Sequence, residues 1–101
     1  MRAHARLVTS VVALLSATVL LSAGEQLSDS TAAIQLTVAD VLFRHADYRH
    51  ALGIYQRVTA SDAADLRTRA RIGAARSALR VAEFGVAATH AAALRAAGLA
   101  G

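Results

Sequence analysis

The chain has 101 residues, room for one small domain or a few helical repeats. It holds no Pro and no Cys, and aromatics make up 4%. This composition favours helices over strands and excludes disulfides, thiol nucleophiles, cysteine zinc sites and a lipid-anchored cysteine. The formal charge of +4 comes from arginine without lysine. That bias is explained more simply by a GC-rich genome than by phosphate recognition, which calls for basic residues clustered on one face, so no nucleic-acid partner is expected.

Met1 to Arg6 is short and basic, and Leu7 to Ala23 follows as an uncharged apolar run that ends in Ser22, Ala23 and Gly24 before the polar Glu25 and Gln26. A basic start, an apolar middle and a small-residue exit make the layout of a secretory signal peptide, with cleavage after Ala23 or Gly24. Removing Arg2 and Arg6 with it lowers the net charge from +4 to +2. The rival reading is an uncleaved anchor, since the run just reaches the ~17 residues that span a bilayer at the short end; the Ser and Thr within it favour cleavage. On either reading the rest of the chain crosses the membrane, and the expected location is periplasmic or otherwise extracytoplasmic.

After a linker at 25–31, Ser28, Asp29 and Ser30 offer helix caps. A first helix is predicted from Thr31 to about His45, with Ile34, Val38, Val41 and Leu42 along one stripe and Leu36 and Phe43 beside it. Asp47 stands at the cap position of a second helix, whose stripe is Tyr48, Ala51, Leu52, Tyr55 and Val58. Ser61 or Asp62 caps a third helix over about Ala63 to Arg80, with Asp62 and Asp65 at its positive start and Arg76 and Arg80 near its opposite end. Val81 to Glu83 breaks the pattern, and a fourth helix carries Phe84, Ala87, Ala88, Ala91 and Leu94 before Gly98. The stripes of the second and fourth helices share their spacing at an offset of about 36 residues, while Val38-Ala39 and Ile72-Gly73 match at about 34. The chain is an internal repeat.

That repeat resembles the tetratricopeptide (TPR) motif. The residues that carry the resemblance are Ala39, then Ala46-Asp47-Tyr48, Ala51, Tyr55 and Val58 in the first unit, and Ile72-Gly73, Phe84, Ala87, Ala91 and Leu94 in the second. The expected fold is all-α: antiparallel helical hairpins stacked as a short TPR-like α-solenoid over 32–62 and a divergent 63–98, preceded by a helical signal segment over 1–24, with 99–101 as a tail or truncated continuation. Small residues at Ala39, Ala51, Gly73 and Ala87 let helices approach closely, and Tyr48, Tyr55, Phe84 and Leu94 fill the space around those contacts. The sequence departs from the motif in several places. Gln35, Arg69 and Arg76 stand where the motif has aromatics, the turn of the second unit reads about two residues longer, and the closing Pro is missing.

The Ala-rich end of the fourth helix buries mostly methyl groups, at roughly 0.8 kcal/mol per CH₂-sized unit, and short solenoids need about three units. Self-association through this end, or further repeats beyond it, is therefore expected. The histidines and aspartate at the first turn, His45, Asp47 and His50, lack metal-ligand spacing, and His90 has no partner at a catalytic spacing; no metal, no cofactor and no enzymatic activity are expected. The TPR resemblance implies a concave groove lined by the first helix of each unit. On it Asp40, Phe43, Arg44, Arg67 and Arg71 are the expected contacts to an extended or helical peptide bearing an acidic group. The expected function is an exported, non-enzymatic scaffold for protein–protein interaction. A signal-anchored helical protein packed on a membrane partner is the alternative.

Overall fold

The computed structural model describes residues 28–98; the signal segment, residues 25–27 of the linker and the tail at 99–101 lie outside them. The described chain is all-helical, with α1 (Asp29–Arg44), α2 (Tyr48–Val58), α3 (Ala64–Arg80) and α4 (Phe84–Ala96). Sequential helices pack on one another, and α1 also touches α3.

α1 begins at Ser28, whose Oγ accepts the Thr31 N–H at 3.2 Å. Its buried stripe is Ala32, Leu36 and Ala39, an i, i+4, i+7 row of mostly small residues that admits α2 at close range. The stripe expected from the sequence is placed otherwise: Ile34 is 65% exposed, Val38 46% and Val41 38%. Two residues on from a buried Ala32, Ile34 falls on the far side of the helix.

Both hairpin turns are built the same way. Ala46 and Ala82 each take φ of 62°, a left-handed conformation that closes a helix end. The Asp47 N–H then reaches the Leu42 carbonyl at 2.9 Å, and the Glu83 N–H reaches that of Ala78 at 2.8 Å. Each turn occupies three residues, His45–Asp47 and Val81–Glu83, so the second is not longer. α3 is one unbroken helix, so counting back from the matching turns at Ala46 and Ala82 sets Gly73 level with Thr37, and the sequence match of Gly73 with Ala39 is not kept. Asp47 occupies the cap position of α2 without a side-chain cap bond; its carboxylate pairs with His50 Nδ1 at 2.8 Å.

α2 buries Ala51, Leu52, Tyr55 and Val58, the row its spacing predicts. The connection to α3 turns on Ser61, which is buried and accepts the Ala63 N–H at 3.2 Å, so it acts just before the helix rather than as its cap. α3 is the centre of the fold, touching all three other helices. It buries Leu66 together with Ala70, Gly73, Ala74, Ser77 and Ala78, the last five small enough to let three neighbours approach. α4 packs on α3 alone among the described helices and fully buries only Ala87. Phe84, expected as a packing residue, is 65% exposed, because it opens a helix with no neighbour on that side among the described residues. Leu94 is half-buried. Among the described residues no helix is long and apolar enough to cross a membrane.

Candidate functional site

The lateral contact between α1 and α3 leaves a groove whose floor is made by α2. Tyr55, buried in α2, points its ring at Gly73 of α3 and its hydroxyl at Asp40 of α1, to which it donates a hydrogen bond. A Cβ at position 73 would overlap the Tyr55 ring, so the glycine sets how closely α3 lies on the hairpin.

Above this floor lies a concavity of about 320 Å³ lined by Asp40, Phe43, Arg44, Arg69, Ile72 and Arg76 along with Tyr55 and Gly73. It continues past Phe43 and Arg76 to Leu79 and Arg80. Ile72 and Leu79 are 37% and 57% exposed. The Phe43 ring meets Tyr48 edge to face at 5.0 Å, and the Arg80 guanidinium lies over the Tyr48 ring, 5.4 Å from its centre. The groove is thus half apolar and half cationic.

Its charges do not cancel. The second oxygen of Asp40 lies 3.8 Å from Arg69 Nη2, a loose, exposed pair of small energetic weight. Among the described residues Arg44 and Arg76 have no carboxylate at ion-pair distance. Burial, then the hydrogen bond and the charge of Asp40, raise the Tyr55 phenol well above its ordinary value, against an opposing pull from Arg76 and Arg44. The phenol therefore stays protonated and serves as a donor, not as a base or nucleophile. The arrangement suits recognition of an anionic group beside an apolar side chain.

The structure divides the residues expected on the groove. Asp40, Phe43 and Arg44 line it, whereas Arg67 and Arg71 lie outside it, in a second concavity along α3 with Asp65, Thr68 and Ala97 that shares Arg69 with the groove. Arg67 Nη1 donates to the Ser61 carbonyl at 3.0 Å and the Asp62 carbonyl at 3.4 Å, tying the inter-hairpin connection to α3. Arg71 stands near His90, whose pKa burial first, and this guanidinium second, hold below the usual range. Sequence reasoning left Arg69, Ile72 and Arg76 off the groove. The signal that finds them is Gly73: once its face is known to meet α2, positions four before, one before and three after flank the same contact.

No family model matches the chain, and no curated protein or solved structure does so either, so the reading of the groove rests on its own residues.

Proposed function

We propose that the chain is an exported, non-enzymatic helical-repeat scaffold of TPR type, whose α1–α3 groove holds a protein segment carrying a carboxylate next to a bulky apolar side chain. The observation that carries this reading is the set Arg44, Arg69 and Arg76 facing a single Asp40 over a floor of Tyr55, with Phe43 and Ile72 as apolar walls. Guanidinium groups are suited to holding carboxylates in a fork of two hydrogen bonds, and exposed apolar walls give a neighbouring side chain somewhere to bury.

Support for the TPR-type stack comes from the turns repeated at Ala46 and Ala82 and from α1 touching both its hairpin partner and α3. Support for export is the basic, apolar and small-residue order of the first 24 residues.

The test is a fluorescence-anisotropy screen of short peptides that pair Asp or Glu with Phe or Leu, run beside amide-capped and basic controls. Binding should favour the acidic-apolar set, weaken with added salt, and fall at least about tenfold, the worth of roughly 1.4 kcal/mol, in Arg44→Ala/Arg76→Ala. Equal binding of basic peptides, or no change in the double variant, would overturn the groove reading. Amino-terminal sequencing of exported material tests the leader, and a mature chain beginning at Met1 counts against cleavage.

A further inference from the structure

We propose that this protein stacks head to tail on further copies of itself, α1 of one copy packing on the open side of the second hairpin of the next. The step that relates the two hairpins carries Ala46 to Ala82, which share φ of 62°, and so carries Phe43 to Leu79 and Tyr48 to Phe84. The first pair is half-buried and has Arg80 of the following hairpin over Tyr48. The second pair is bare, with Leu79 57% and Phe84 65% exposed. The residue that precedes Arg80 by the same step is Arg44. Adding one more hairpin by that step brings in the first hairpin of a second copy and lays its Arg44 over Phe84.

The same step identifies the face that α1 presents. α3 meets the preceding hairpin through Gly73 against Tyr55, and Ala70 and Ser77 share that buried side. The residues one step earlier on α1 are Ile34, Thr37 and Val41, all exposed, with Ile34 at 65%. Sizes match across the contact in the reverse sense. Inside the chain a large Tyr55 meets the small Gly73. Between copies the large Ile34 and Val41 meet Ala88 and Ala91, which stand one step on from Leu52 and Tyr55. The occupant of this face is a second copy because that copy carries the same hairpin unit that α3 and α4 form on the first. Joining unlike faces leaves each assembly with one free head and one free tail, which gives an open series rather than a closed dimer.

The experiment is sedimentation velocity of the full chain over a concentration series, repeated with Ile34→Glu, which blocks the head, and Ala88→Glu, which blocks the tail. Both positions are exposed, and circular dichroism verifies that each variant keeps its helix content. Wild type should grow past two chains as concentration rises. Each variant alone should stay a single chain, and an equal mixture should form a two-chain complex through the one intact head and the one intact tail. Residues 1–27 are common to all three proteins, so any contribution from them cancels in the comparison. Should a glutamate unfold the chain, Phe84→Ala carries the test and should weaken association severalfold with helix content unchanged. A single-chain wild type up to millimolar concentration would overturn the proposal. So would variants that associate like wild type, an Ala88→Glu protein that still dimerises alone, or a mixture that stays dissociated.

Discussion

The Tyr55 hydroxyl donates to the Asp40 carboxylate while the Tyr55 ring rests on Gly73, so one side chain of α2 fixes α1 and α3 together. The groove exists because this side chain reaches both helices. Removing the hydroxyl and crowding the ring should therefore have separable effects.

Crowding is the task of Gly73→Ala. A methyl at position 73 gains up to about 1 kcal/mol of helix propensity but overlaps the Tyr55 ring, and overpacking of this kind costs typically about 1–3 kcal/mol. The ring is 3% exposed and has little room to move away. A net loss of about 1 kcal/mol is expected in urea unfolding. Gly53 of α2 has nothing within 4 Å of its would-be Cβ, so Gly53→Ala should stabilise by about 0.5–1 kcal/mol. The two substitutions have the same chemistry and opposite expected signs; a stabilising Gly73→Ala would contradict the close approach.

The hydroxyl can be followed through pH. Burial and Asp40 raise the Tyr55 phenol above its ordinary value of about 10, which means that the folded chain holds this proton more tightly than the unfolded one. The resulting stability is fully present below pH of about 10 and is lost as pH climbs from there toward the folded value. Wild type should therefore lose stability on the alkaline side through Tyr55, and Tyr55→Phe should remove that part of the slope. At neutral pH the same variant should lose about 1 kcal/mol with the hydrogen bond. An unchanged alkaline slope in Tyr55→Phe would show that the phenol titrates freely.

The two turns give a stabilising prediction. Ala46 and Ala82 hold φ of 62°, where a Cβ crowds the following carbonyl at a cost of roughly 1–2 kcal/mol. Glycine occupies this conformation without that penalty but loses more entropy on folding. Ala46→Gly and Ala82→Gly should each raise stability by about 1 kcal/mol, read as an upward shift of the thermal midpoint. Helix content at low temperature should not change.

Much of this fold is legible in the sequence, and the exceptions share a cause. The breaks at His45–Asp47 and Val81–Glu83 and the α2 row of Ala51, Leu52, Tyr55 and Val58 emerge from spacing alone. On α1 the size of Ile34, Val38 and Val41 points to the wrong face, since what α2 requires is the closeness that Ala32 and Ala39 permit. α3 repeats the lesson, burying Ala70, Ala74, Ser77 and Ala78: where three neighbours converge, small residues mark the interior and hydropathy does not. The groove is half-readable for the same reason. Asp40, Phe43 and Arg44 follow from the phase of the first hairpin, but the arginines of α3 recur all around the helix. Only the contact between Tyr55 and Gly73 fixes which of them turn toward α1.

Two arginines of α3 should separate stability from recognition. Arg67 spends its guanidinium on the Ser61 and Asp62 carbonyls, so Arg67→Ala leaves those carbonyls of the inter-hairpin connection without their donor. A loss of about 0.5–1.5 kcal/mol is expected in denaturant, with peptide affinity unchanged because this side chain does not line the groove. Arg76 is exposed and lines the groove without an ion-pair partner among the described residues. Arg76→Ala should leave stability within about 0.5 kcal/mol of wild type while weakening an acidic-apolar peptide severalfold. Arg71→Ala, on the same face as Arg67, should likewise leave binding intact. If Arg67→Ala or Arg71→Ala weakened the peptide as much as Arg76→Ala did at equal stability, the recognition surface would have to be moved to the other face of α3.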